Sequence, residues 1–269
     1  MLGLGLSLNS SVQESSVSRL PSYSNSHNIF VDGTEAVGIL DSTDITSIFG
    51  GNYTYSFWVY DTAYNTSYAC GTKKSTTPTY EIGVRFLNLG VMYLQVFHEA
   101  DGTGGSAFYN VGSSLTNSNW HQITVTCTAG ATGSDNATIK TYLNGSLVGT
   151  NTSGPTKDKQ DAFAATSGSL FGVGARYSDL NSPTFHTSSY FDEFAFWSAV
   201  LDADAVSAIY NSGDSIDLSV DSGDYDRSSD LESWYRFNND FTDSQGNSTT
   251  GTAVGDPLFG SSDNPPGTP

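Results

Sequence analysis

From about residue 26 onward, apolar and polar positions alternate in short runs, the period of strands that bury one face. Residues 53–60 are aromatic, β-branched or small, with Phe57 and Val59 on one face and Trp58 and Tyr60 on the other. Tyr80, Ile82, Val84 and Phe86 alternate in the next run, residues 91–98 form another, and residues 120–127 place Ile123, Val125 and Cys127 together. Residues 138–150 read as a hairpin, because Asn144-Gly145 accepts the positive φ of a type I′ turn. Further strands are predicted at 169–176, 190–197 and 231–237. One helix is predicted, over 202–211: Asp202 caps it, Leu201, Val206, Ile209 and Tyr210 recur at helical spacing, and Asn211-Ser212-Gly213 stops it.

The two ends break this pattern. Residues 1–25 include eight serines, and Leu2, Leu4, Leu6 and Leu8 alternate with Gly3, Gly5 and Ser7, so an extended arm would carry four leucines on one face. So short a strand cannot bury that face alone. It either docks on another surface, such as the sheet edge of a neighbour, or stays a loose leader. Four of the eight prolines fall within 257–269, and residues 260–269 read as an irregular tail.

Composition narrows the partners. Ten Lys and Arg against 28 Asp and Glu give a net charge of −18, which excludes nucleic acid, since binding there rests on cationic side chains displacing phosphate counterions. No run of about 18 apolar residues is present to span a membrane. The first ten residues lack the basic flank and apolar run of an export signal. Cys70 and Cys127 are too few for a disulfide scaffold; two half-buried thiols or one disulfide both fit.

Four segments carry a resemblance: Phe57-Trp58-Val59 in an early strand; Trp120-His121 opening a strand; Tyr142-Leu143-Asn144-Gly145 ending one; and residues 191–197, with Leu201 and the short helix to Tyr210. Together they resemble the laminin G-like, concanavalin A-like lectin and glucanase superfamily. The resemblance implies an all-β fold, a two-sheet antiparallel jelly-roll sandwich with one short helix near 202–211. Residues 234–237 and 243–247 look like the usual start of such a module, yet here they come last. About 30 residues are too few to bury a core alone, so 231–259 is predicted to complete the same sandwich in permuted order, giving one domain over 26–259.

The chemistry follows from what is present. Glycosidases of this superfamily carry a Glu-x-Asp-x-x-Glu cluster on one strand, and none of the six glutamates here sits in that pattern, so no hydrolase is expected. The four histidines are scattered and form no metal-binding pair. The resemblance also implies a structural calcium held between early and late strands, and Asp32-Gly33 and Asp192 match the positions that supply its oxygens; ordinary turn and edge roles also fit them. Alternation through 190–197 puts Asp192 on the face of Phe194 and Phe196, where a cation would relieve its charge. Sugar binding needs aromatic faces and polar groups exposed together, for which Trp58, Tyr60, Arg85, Tyr93 and His98 are the candidates. The same residues also fit a core, and periodicity alone does not choose.

Three function classes compete. The acidic, Lys-poor composition, the leucine arm and the lectin-type resemblance favour a structural or adhesive protein of a virus particle, resembling virion-associated members from marine tailed bacteriophages. It would be exposed on the virion surface, assembled as a homo-oligomer with other virion proteins, and in reach of a host-surface glycan. A carbohydrate-binding module of an extracellular protein is the alternative, and a glycosidase the least favoured.

Overall fold

Strand pairing gathers the alternating segments into two sheets. The structure, a computed structural model, describes residues 27–60, 65–74, 80–89, 92–100, 107–116, 118–164, 170–178 and 182–260. The first sheet runs in the order β10 (Ser146–Asn151), β9 (Thr138–Leu143), β8 (Trp120–Thr128), β3 (Tyr53–Tyr60), β14 (Ser188–Trp197), β1 (Asn28–Asp32), β17 (Leu258–Gly260). β15 (Leu231–Tyr235) pairs with the second half of β14. The second sheet runs β16 (Thr252–Val254), β2 (Ala36–Ile39), β11 (Phe171–Val173), β4 (Ser67–Lys74), β5 (Tyr80–Asn88), β6 (Met92–Ala100), β7 (Ala107–Asn110). A hairpin of β12 (Arg176–Ser178) and β13 (Ser182–Thr184) joins β4 through one parallel pairing, Tyr177 with Thr72. The three last strands thus enter both sheets, beside β14, β2 and β1.

Inner faces follow the alternation. Phe57, Val59, Ile123, Val125 and Cys127 from the first sheet meet Ile82, Val84, Phe86, Leu94 and Val96 from the second in one core. Each large apolar side chain so buried contributes about 1.5–3 kcal/mol before ordering costs. Both cysteines are buried and free; burial holds both thiols well above their usual range, Cys127 at about 12. At the Asn144-Gly145 turn both residues take positive φ, 51° and 72°, as the hairpin requires.

Three local departures follow from chemistry that periodicity does not carry. Two further helices, α1 (Ser42–Phe49) and α2 (Lys157–Ala164), insert Ile45, Ile48, Phe49 and Phe163 into the core. α1 is set by a reciprocal cap: Asp41 accepts from the Thr43 and Asp44 amides, and the Asp44 carboxylate accepts from the Asp41 amide. The run predicted over 169–176 stops at Val173, because Gly174 turns at φ 77°, where a Cβ would lie 2.7 Å from Val31. The third departure is a β-bulge in β14. Glu193 takes φ 50° and the pairing with β3 slips between Asp192 and Ala195, which inverts the alternation. Phe191, Phe194 and Phe196 therefore share the core face, with Phe194 stacked on Phe57 at 4.5 Å, while Asp192 lies opposite Trp58 on the outer face.

That outer face is itself covered. The predicted helix is α3 (Ala203–Tyr210), capped by Asp202 through the Ala205 amide and ended by Asn211 at φ 47°. With Ile216, Leu218 and Tyr225 of the following Asp-rich stretch, it buries Trp197, Trp234 and Ala195 in a second core. In this stretch Asp221, Asp224 and Asp226 are exposed while Ile216, Leu218 and Tyr225 turn in.

Candidate functional site

The outer face of the second sheet gathers charged, amide and aromatic side chains from four neighbouring strands. Because Ile82, Val84 and Phe86 point into the core, Glu81, Arg85 and Leu87 of β5 point out; by the same alternation so do Tyr93, Gln95 and Phe97 of β6. Register then sets Tyr68, Arg85, Gln95 and Phe108 side by side across β4, β5, β6 and β7. In the next row Gly71 faces Gly83, and a Cβ on Gly83 would lie 2.4 Å from the Cys70 carbonyl oxygen, so the two strands approach too closely there for a side chain.

The polar groups of this face hold one another. Tyr68 donates its hydroxyl to Glu81 Oε1 at 2.5 Å, Arg176 Nη1 lies 3.2 Å from the same oxygen, and Lys73 Nζ lies 3.4 Å from Glu81 Oε2. Burial, reinforced by the bond to Glu81, pushes the Tyr68 phenol up to about 12. Arg85 lies against the rings of Tyr68 and Phe97, 5.5 and 5.4 Å from their centroids, and its Nη2 donates to Gln95 Oε1. Phe108 and Phe185 flank this polar centre, 56% and 61% exposed. Phe185, just after β13, has φ 58°, a left-handed conformation that costs an ordinary L residue about 1–2 kcal/mol. The Arg176 guanidinium 4.7 Å from its ring and a bond from the Tyr68 amide to its carbonyl oxygen keep it there. An exposed aromatic held in strain is a feature found at ligand sites.

The sequence candidates are dispersed. Arg85 and Tyr93 stand on this face. Trp58 is on the other sheet, 3% exposed and stacked on Tyr210 of α3, so it offers no ring to solvent. His98 points into the core, where Tyr53 hydroxyl lies 2.8 Å from its Nδ1 and burial drives the imidazole down to about 3. Tyr60 belongs to a half-buried aromatic row, Trp120, Tyr60, Tyr190, Phe30, on the first sheet. Those rings meet at 56°, 83° and 39°, covering one another instead of forming a plane. Asp32, Gly33 and Asp192 do not form one coordination sphere: Asp32 pairs with Ser188, four residues from Asp192, about 13 Å along the strand. Asp32 is exposed and bonded to Thr34, whereas Asp192 is fully buried and accepts from the Glu193 amide. Oxygen ligands at about 2.3–2.6 Å cannot be shared over that distance. Leu2, Leu4, Leu6 and Leu8 lie outside the described residues.

Of the residues sequence reasoning passed over, Gln95 and Phe97 shared the alternating run of Tyr93 and were open to the same logic. Phe185 and Arg176 had no such signal, since a short hairpin brings them to the sheet.

Under the first sheet a small cavity is lined by Ser56, Trp58, Gln122, Glu193, Ile209 and Ser215. Glu193 accepts from Trp234 Nε1, while its Oε1 and Gln122 Oε1 have no partner among the described residues; burial first of all pushes this carboxyl up to about 8.

Two packed antiparallel sheets with a polar and aromatic outer face define a lectin-type sandwich. The chain belongs to the Laminin_G_3 family of the concanavalin A-like lectin/glucanases superfamily, whose model matches residues 32–207. No curated protein matches in sequence. Among solved structures it is similar to a proposed carbohydrate binding protein from Bacteroides ovatus, at 15% identity and TM-score 0.60 over 90% of this chain and 61% of that one. The heptameric SAP-like pentraxin of Limulus polyphemus matches at 13% identity and TM-score 0.45, over 71% and 80% of the two chains. A Ruminococcus gnavus IT-sialidase CBM40 bound to α2,3 sialyllactose matches at 12% identity and TM-score 0.46, over 71% and 100%. The chain spans about three-fifths of the length of the Bacteroides protein, and at these identities the likeness concerns the fold. No helix among the described residues is long and apolar enough to cross a membrane.

Proposed function

We propose that the protein is a non-enzymatic carbohydrate-binding sandwich whose ligand lies on the outer face of the second sheet. The observation that carries this reading is the pair of exposed phenyl rings, Phe108 and Phe185, flanking Arg85 and Gln95, with Phe185 in a strained conformation. Sugar rings present C–H faces to aromatic rings and hydroxyls to polar groups, and this row offers two exposed phenyl rings and the half-buried Arg85 guanidinium, which the buried Gln95 amide holds in place. The description of the Bacteroides protein as carbohydrate binding agrees with it. The setting we propose is the exposed surface of a tailed-bacteriophage particle, as capsid decoration, head fibre or tail component; its support is the acidic, Lys-poor composition and the leucine-striped first ten residues. Detection of this chain by mass spectrometry in purified particles tests the setting.

The face is tested by calorimetry against a panel of oligosaccharides with the native protein, Phe185→Ala and Phe185→Gly. Both variants should lose binding, and the glycine variant should be the more stable by about 1 kcal/mol, since glycine adopts positive φ freely. Unaltered affinity in both, or no binding by the native protein, would refute the assignment. Release of reducing sugar above a boiled control would refute the non-enzymatic reading.

A further inference from the structure

We infer that the saccharide held on this face is an anionic one, and that Arg85 receives its carboxylate or sulfate group; this rests on the glycan-binding reading above. Lys73, Arg85 and Arg176, three of the ten basic residues in a chain of charge −18, stand together on the outer face of the second sheet. Glu81 answers two of them, Lys73 and Arg176. Arg85 has no carboxylate partner among the described residues, although acidic residues outnumber basic ones 28 to 10. A neutral amide, Gln95, takes one of its donors. Among the described side chains of this face three cations thus meet one carboxylate, although the register sets a second acid, Glu99, opposite Glu81 at the far end of the row from Arg85; at physiological salt charges beyond about 8 Å are largely screened, so the acidic remainder of the surface does not cancel Arg85 at contact range.

Arg85 is also prearranged to bind. The Tyr68 and Phe97 rings and the Gln95 carbonyl hold the guanidinium in place, so little side-chain freedom is left to lose when an anion docks. A planar fork of donors matches a carboxylate or a sulfate oxygen pair, and charge-assisted bonds of this kind are roughly twice as strong as neutral ones. Phe108 and Phe185 stand at either end of the row, where sugar rings on both sides of the charged unit would contact them.

The test measures binding of three sets of oligosaccharides of equal length by calorimetry: carboxylated (oligogalacturonate, oligoalginate), sulfated (oligocarrageenan) and neutral (laminari- and cello-oligosaccharides). At least one anionic set should bind about tenfold or more tighter than the neutral set. The carboxylated and sulfated arms identify which group is recognised. Arg85→Gln should reduce that set to the neutral level, Arg85→Lys should keep part of the preference, and chemical reduction of the ligand carboxylates should mimic Arg85→Gln without touching the protein. Thermal melts confirm that the variants are folded. Neutral binding as tight as anionic binding, or an anionic preference unchanged in Arg85→Gln, would overturn the inference. If neutral sugars bind and Phe185→Ala abolishes that binding while Arg85→Gln does not affect it, the glycan face stands and the anionic ligand falls. Binding in none of the arms removes both.

Discussion

Replacing Glu193 by Gln should stabilise the protein at alkaline pH and leave it nearly unchanged at acid pH. The carboxyl is buried beneath α3 and the segment that follows, with one oxygen on Trp234 and the other without a partner among the described residues. Burial is the main cause that raises it from its ordinary 4.5 to about 8; the Trp234 bond opposes this and nearby Asp217 adds to it. The folded state therefore holds a proton that the unfolded chain gives up. The stability this contributes is complete below about pH 4.5, is lost progressively as the pH rises toward 8, and is flat above that. At about 1.4 kcal/mol per pH unit the gap amounts to at most about 5 kcal/mol. Glutamine carries no charge at any pH, keeps an acceptor for Trp234, and brings an amide donor to a cavity where Gln122 Oε1 lacks a partner. Melting curves of the native protein and Glu193→Gln, taken from pH 4.5 to 9.5, should nearly coincide at the acid end and separate toward the alkaline end. The separation should reach up to about 10–20 °C, at about 2–4 °C per kcal/mol for a chain of this size. Tryptophan fluorescence gives a second readout through Trp234. Parallel curves with a constant offset would refute the argument, because the effect would then be packing and not ionisation.

Burial holds His98 neutral in the folded state down to about pH 3, while the unfolded chain protonates below about 6.5, so stability present above 6.5 is lost as the pH falls toward 3. With Glu193 limiting the alkaline side, urea unfolding should show maximal stability between about pH 4.5 and 6.5; a steady rise from pH 4 to 9 would contradict the Glu193 assignment, and a Glu193→Gln variant that loses no stability below pH 6.5 would contradict that of His98. Gly83→Ala should cost about 2–3 kcal/mol in urea titrations, because the new Cβ would meet the Cys70 carbonyl at 2.4 Å and Gly71 Cα at 2.8 Å, both backbone. Gly51→Ala, with nothing within 4 Å, should stay within about 0.5 kcal/mol and serves as the control. Deleting residues 2–10 should leave circular dichroism and melting unchanged but abolish incorporation into particles or oligomers; normal incorporation would show that the leucine stripe does not act in assembly.

Residue pattern alone settles which face of most strands turns inward. That property is local: Ile82, Val84 and Phe86 must share a side because successive residues of a strand alternate, and Asn144-Gly145 must turn because its backbone accepts positive φ. The cap at Asp202 was legible for the same reason, and the cap at Asp41 lay open to the same reading. Tertiary structure decided which outer faces stay open, since that depends on what packs over them. Trp58 and Arg85 both point away from the core, yet α3 and residues 214–225 bury the first, while the second stays half exposed between Tyr68 and Gln95. Alternation also fails where one residue is inserted: the bulge at Glu193 moved Asp192 off the face of Phe194, and register set it four residues from Asp32's partner. The row Tyr68, Arg85, Gln95, Phe108 draws on four strands, and Phe185 reaches it from a separate hairpin. No local pattern encodes such a neighbourhood, because strand order and register are fixed by packing across the whole sandwich.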